Sequence, residues 1–285
     1  MKLITFEHEG RLKAGYLDGK TAVICDDGPR ANEAVLDYIR GGGTGDWPEK
    51  ARVALADVHL KAPVPEPLRD IICVGKNYHA HAAEFFGSGF DSGAMEEVPS
   101  NPVVFSKAMT SVVGPGDDVL ASLDPTRSVD YEGELGVIIG KTARRVSKAD
   151  AYDYVFGYVI VNDVTSRELQ KKHNQWLIGK GVDTFCPMGP WIATADEITD
   201  VDAMELETKI NGESRQKATV RDMVFDIPTL IETLTATGTL LPGDIIATGT
   251  PAGVGIGFKP PKYVQKGDVM AVSITGLGTL ENTVG

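Results

Sequence analysis

The residues of this chain whose types and spacing best suit chemistry are acids placed at the ends of two apolar runs. In Asp130-Tyr131-Glu132-Gly133-Glu134-Leu135-Gly136-Val137-Ile138-Ile139-Gly140-Lys141, Glu132 and Glu134 precede a stretch with the length and β-branched content of a buried strand. On an extended backbone their two-residue spacing puts both carboxylates on one face, close enough to repel each other. An isolated pair of this kind is usually a solvated strand edge. Here a second strand-like run, Val155-Phe156-Gly157-Tyr158-Val159-Ile160-Val161-Asn162-Asp163, also ends on an acid. If the two strands are neighbours, Glu132, Glu134 and Asp163 form an all-oxygen set suited to a hard cation, Mg²⁺ or Mn²⁺, with positions left for water and substrate. Such a site requires the three carboxylates to converge on an open cleft, with no lysine or arginine plugging the space among them.

Other groups with chemical potential lie on either side. His81 and Glu84 stand at i and i+3 in a helix-prone, Ala-rich segment, where a carboxylate can orient an imidazole and raise its basicity. Residues 87–100, rich in Gly, Ser and acids, read as a lid over that pair. Arg167 and Gln170 share a helical face just after Asp163. Lys180, between two glycines, can supply positive charge to a developing oxyanion near a metal. The run Gly249-Thr250-Pro251-Ala252-Gly253-Val254-Gly255-Ile256-Gly257 lets backbone amides approach a ligand carboxylate. It has neither the Gly-Lys-Ser/Thr element of a P-loop nor the βαβ setting of a dinucleotide fingerprint.

Composition narrows the classes of function. A net charge of −12 argues against nucleic acid or an anionic membrane surface as the main partner. No apolar run approaches the roughly 20 residues of a membrane helix, and the first residues carry charges where a signal peptide needs an apolar core. Cys25, Cys73 and Cys186 are odd in number and scattered, which fits reduced core thiols in a soluble, cytoplasmic protein.

Positioning these groups falls to a β-rich chain with some helix. Residues 1–67 read as a small β-rich N-terminal domain with a helix over 31–40. The Pro-rich Ala62-Pro63-Val64-Pro65-Glu66-Pro67 marks its boundary with a larger domain, 68–285. In that domain, strands are expected at 70–75 and 101–106, a hairpin about Asn211-Gly212, a helix over 227–237 and closing strands over 264–275.

Taken in order, the motifs resemble the fumarylacetoacetate hydrolase family over about residues 68 to 284. The likeness is carried by Gly75-Lys76-Asn77-Tyr78 with His81 and Glu84, by Asp130 to Leu135, and by Asn162 to Arg167. Lys180 with Asp183-Thr184-Phe185, and Thr248 to Gly255, complete it. The resemblance implies an α+β architecture, a mixed β-roll or β-sandwich catalytic domain, and a homodimer. It implies one Mg²⁺ or Mn²⁺ per subunit at Glu132, Glu134 and Asp163, water activation by His81 with Glu84, and oxyanion stabilisation by Lys180. Tyr78, Arg167, Gln170 and Thr250 become substrate contacts. Two departures stand out: a lid longer than in compact acylpyruvases, and Ala108-Met109 after Lys107 where a proline is common.

The implied activity is metal-dependent C–C hydrolysis of a 2,4-dioxo acid of the acylpyruvate or fumarylacetoacetate type, as in aromatic catabolism. The same enolate-stabilising site serves an oxaloacetate-type decarboxylase or an isomerase or tautomerase. A metal-stabilised binding or scaffold protein without turnover is the reading from a different class. The His81/Glu84 pair favours hydrolysis.

Overall fold

The computed structural model describes residues 1–43, 47–86 and 98–285, so the lid expected over 87–100 lies almost wholly outside the described residues. Its centre is two antiparallel strands, Gly133–Ile139 and Val155–Asn162, paired from Gly133 opposite Asn162 onward. Every residue of the first is buried, and the alternation of side chains sends consecutive residues to opposite faces. Leu135, Val137, Ile139, Tyr158 and Ile160 enter one core, whereas Ile138, Val159 and Val161 enter another. A strand buried on both faces must be apolar throughout, hence the unbroken run seen in the sequence.

The first core is closed by a four-stranded antiparallel sheet, in the order Glu213–Thr219, Glu205–Ile210, Val269–Ile274, Gly278–Thr283, and by the helix Ile227–Thr237. Asp226 caps that helix by accepting a hydrogen bond from Thr229 N. The mixed β architecture expected from the sequence is thus realised as two packed sheets, with the hairpin about Asn211-Gly212 in the smaller one.

The boundary expected at residue 67 divides the sequence but not the sheet. Lys2–His8 pairs with Cys186–Thr194, which in turn pairs with Val155–Asn162, so the N-terminal strands extend the central sheet. The helix Ala31–Arg40 then lays Ala34, Val35, Leu36 and Ile39 into the second core, against Ile138, Val159 and Ile245. Pattern within each segment reads local structure; the pairing of Leu3 with Ile192 joins residues far apart in sequence and leaves no local trace. At about 1.5–3 kcal/mol per buried Val, Leu or Ile side chain, Val35, Leu36 and Ile39 alone rival the about 5–15 kcal/mol that holds a typical domain together.

A chain limited to residues 68–285 is therefore expected not to fold independently. Denaturant titration followed by circular dichroism checks this: the full-length chain should unfold cooperatively and the truncated one should show no cooperative transition.

Candidate active site

The strand pairing delivers the acids to one place. Gly133 lies opposite Asn162, so the residues just outside the ladder, Glu132 and Asp163, emerge side by side. Asp163 N donates to the Glu132 carbonyl at 2.8 Å, and Glu132 N donates to Asn162 Oδ1 at 3.0 Å. Glu134 follows on the same face, and ligand atoms of Glu132, Glu134 and Asp163 all lie within 4.8 Å of one another. All three are buried. The sequence expectation that they converge is met.

The expectation that the space among them is clear of cations is not. Lys180 Nζ lies 2.8 Å from Glu132 Oε2 and 2.7 Å from Asp163 Oδ2. Arg167 Nη1 lies 2.6 Å from Glu132 Oε1, and Arg167 Nε donates to Asp130 Oδ2 at 2.8 Å. Lys107 Nζ donates to the carbonyls of Val164 and Lys180 and stands 2.8 Å from Asp163 Oδ1. Lys180 is thus a counter-ion built into the carboxylate cluster, not a lone positive charge set apart for an oxyanion. The physical reason is the cost of burial: several kcal/mol per unpaired ion forces cations against these acids. Burial would lower the Lys180 pKa, but Asp163 and Glu132 outweigh it and hold the ammonium above its ordinary value. For Glu132, burial would raise the carboxyl, but Lys180, Arg167 and His81 hold it below the usual range.

Glu134 is the exception. Among the described residues it has no Lys or Arg partner, and its Oε2 accepts one hydrogen bond, from Gly249 N at 2.8 Å. Burial first, then the Asp163 and Glu132 charges, push its pKa well above the ordinary carboxylate range. Lys107, Lys180 and Arg167 pair with Asp130, Glu132 and Asp163, so Glu134 ionises readily only when a further cation joins the cluster. Asp163 Oδ1 is held by the Lys107 ammonium at 2.8 Å, and each carboxylate oxygen has room for a second partner. Three buried carboxylates with ligand atoms within 4.8 Å of one another are an oxygen-only set that fits a hard divalent cation, provided Lys180 and Arg167 yield oxygens they now hold.

The glycine run proves to serve the protein's own acids. Gly249 N reaches Glu134, Gly253 N reaches both oxygens of Glu84 at 3.1 and 3.2 Å, and Gly255 N and Ile256 N each donate to Asp130, at 2.6 and 3.0 Å. Gly253 adopts φ 105°, and a β-carbon there would lie 1.9 Å from the Arg215 carbonyl oxygen, so no other residue fits. Glu84, fixed in this way, meets His81 Nδ1 at 3.2 Å.

A narrow cavity of about 20 Å³ gathers most of the expected residues: His81, Glu132, Glu134, Arg167, Gln170, Lys180 and Thr250 line it. Asp163 sits behind it, fully buried. The Gln170 amide oxygen accepts from Arg167 at 3.2 Å, while the Thr250 hydroxyl donates to the Gly133 carbonyl and accepts from Gln216. Tyr78, expected at the substrate, packs in the first core outside the cavity lining, and among the described residues its buried hydroxyl has no hydrogen-bond partner. Sequence reasoning missed Asp130 and Lys107. The signal for Asp130 was its two-residue spacing from Glu132; Lys107, a charge at the end of an apolar strand, gave little.

Comparison with known proteins follows the same lines. The fumarylacetoacetate (FAA) hydrolase C-terminal family model matches residues 70–285. The chain is 50% identical to oxaloacetate tautomerase YisK of Bacillus subtilis over 81% of its length and 75% of the relative's. A fumarylacetoacetate hydrolase from Exiguobacterium antarcticum superposes with a TM-score of 0.84 at 41% identity, covering 100% of this chain and 99% of that one. Maleylpyruvate hydrolase from Sphingobium sp. SYK-6, solved with manganese(II) and pyruvate, gives 0.78 at 36% identity over 100% and 98%. Among the described residues no helix is long and apolar enough to cross a membrane.

Glu134→Gln keeps an oxygen for Gly249 N while removing a carboxylate that a divalent cation would draw into its ionised form. The variant should fold normally by circular dichroism and lose Mn²⁺ on gel filtration, as read by elemental analysis. Asp130→Asn, which loosens Arg167 and the Gly255–Ile256 amides without touching the three acids, should weaken Mn²⁺ binding by about 10-fold, the low end for an outer partner of a metal site.

Proposed function

Because the chain belongs to the fumarylacetoacetate hydrolase family, we propose that this enzyme moves a proton at the carbon beside the 2-oxo group of a small acid, interconverting the keto and enol forms of oxaloacetate. The observation that carries the reading is the Glu84-braced His81 sharing one narrow cavity with Glu132, Glu134 and Lys180. A proton-transfer group stands beside a charge cluster in one narrow cavity. The 50% identity to a tautomerase supports the same choice. The sequence alone had favoured C–C hydrolysis.

The chemistry asks three things of the protein. The first is a base, and His81 supplies it: the imidazole takes a proton from C3, the C–H electrons form the C2–C3 double bond, and the carbonyl pair moves onto oxygen, which is then protonated. Nothing is oxidised or reduced. The second is a fixed orientation of that base, which Glu84 gives at Nδ1. The third is a place for the carboxylate, for which the Gln170 NH₂ is suited because its oxygen is already engaged by Arg167. When bound at Glu132, Glu134 and Asp163, Mg²⁺ or Mn²⁺ supplies Lewis-acid polarisation of the 2-oxo group. The same proposal includes a homodimer and a cytoplasmic setting.

Hydrolysis of a 2,4-dioxo acid is the second reading, favoured by the likeness to maleylpyruvate hydrolase. It uses His81 to activate water in place of a substrate C–H bond.

Ultraviolet assays with Mg²⁺ or Mn²⁺ separate the two. Accelerated loss of oxaloacetate enol absorbance without CO₂ release marks the tautomerase; loss of the diketone band of acetylpyruvate or fumarylpyruvate with pyruvate formed marks the hydrolase. His81→Ala should lower either rate by about 10²–10⁴-fold, the contribution usual for a general base, while Mn²⁺ retention stays unchanged.

A further inference from the structure

The cavity has an apolar wall that the proton transfer does not use, made by Val74, Phe105 and Trp176 beside Gly75. We propose that Trp176 sets the length of the 2-oxo acid admitted, restricting the site to short chains; this rests on the 2-oxo acid reading above. Trp176 immediately precedes the short helix Leu177–Lys180, and its carbonyl accepts from Lys180 N at 3.0 Å. Residues four apart on a helix share a face, with β-carbons about 5–6 Å apart. The ring therefore stands one turn from the residue whose ammonium joins the carboxylate cluster. A substrate with its head at the cluster extends its tail toward the wall that Phe105 and Trp176 make beside it.

The wall is held from two sides. A β-carbon on Gly75 would lie 2.6 Å from the indole, so glycine at this position lets the ring lie flush on the strand end. Phe105 meets the ring edge-on, with centroids 5.1 Å apart and planes at 65°, a favoured aromatic geometry. Phe105 itself carries Lys180 Nζ at 5.0 Å from its centroid. Wall and charge cluster are thus one packed unit, and lengthening the substrate means moving the tryptophan. The cluster cannot make this distinction, since it sees the same 2-oxo acid head on every homologue.

The test is calorimetric binding of oxalate, 2-oxobutanoate and 2-oxohexanoate to the Mn²⁺-supplemented full-length protein, which reads size selection without turnover. The wild-type protein should bind 2-oxohexanoate at least about tenfold more weakly than 2-oxobutanoate, a discrimination within reach of one or two methylenes against a rigid wall. W176A should erase that difference and W176F should fall between, each length ratio being read relative to oxalate on the same variant. Equal length profiles in wild type and W176A overturn the proposal, as does a wild-type profile that is flat. Oxalate binding with no turnover of oxaloacetate or any 2,4-dioxo acid overturns the reaction reading alone, and the length profiles still decide the role of Trp176. Failure of wild type and both variants to bind oxalate overturns both.

Discussion

Four carboxylates buried within one small region are the constraint around which this molecule is built. Each would cost several kcal/mol if left unpaired in the interior, and Asp130, Glu132, Glu134 and Asp163 are all at most 5% exposed. Three cations answer them: Arg167 bridges Asp130 and Glu132, Lys180 bridges Glu132 and Asp163, and Lys107 backs Asp163. Backbone N–H groups answer the rest. Glu134, at the cavity, is the member without a lysine or arginine in ion-pair contact among the described residues, and burial with the neighbouring acids pushes its pKa up, so its charge awaits a further cation.

Much of the remaining structure can be understood as holding that arrangement still. The loop 249–256 places four N–H groups on Glu134, Glu84 and Asp130, which explains its glycines better than any ligand does. The loop is itself pinned from behind. Gln216, on the four-stranded sheet, donates to Thr250 Oγ1 and to the Pro251 carbonyl and accepts from Gly133 N. Asn77 ties the Thr248 carbonyl to Phe225, donating to both carbonyls and accepting from Phe225 N. One buried amide on either side thus connects the smaller sheet, the glycine loop and the segment leading to His81. Buried polar side chains of this kind are costly unless fully satisfied, and both are used at their oxygen and nitrogen alike.

What the sequence revealed and what it hid follow from the range of each interaction. The helices at 31–40 and 227–237 and the hairpin at Asn211-Gly212 are local patterns, and they appear where the patterns put them. The convergence of Glu132 with Asp163 was legible because two apolar runs each end on an acid and pair end to end. The role of Lys180 was not, because a lysine between glycines says nothing of which acids it will meet; its partners come from two other strands. The surroundings of the Tyr78 ring were hidden for a related reason. A motif fixes order along the chain, whereas the side of the backbone a ring takes depends on the core it finds, here that of Val74 and Met223. The fusion of the N-terminal module into the main sheet lies at the extreme of the same scale, since its pairing joins Lys2 to Ala193.

The distribution of charge and apolar surface also bears on how one site can underlie several reactions. Stabilising negative charge on a 2-oxo acid head is indifferent to the bond that supplies the electrons, whether C–H or C–C. The cluster of Glu132, Glu134, Asp163 and Lys180 therefore cannot by itself select among tautomerisation, decarboxylation and hydrolysis. Selection must come from groups that meet the rest of the substrate: the imidazole of His81, whose reach decides whether a carbon acid or a water is deprotonated, and the Phe105–Trp176 wall, whose position decides what length of chain presents itself. The charge cluster is heavily cross-linked and resists change, since altering one member leaves another buried charge unpaired. The wall is held by contacts between apolar rings and tolerates substitution at lower cost. Diversification of the reaction within such a framework is thus cheapest at the aromatic side of the cavity, and strictest at its acids.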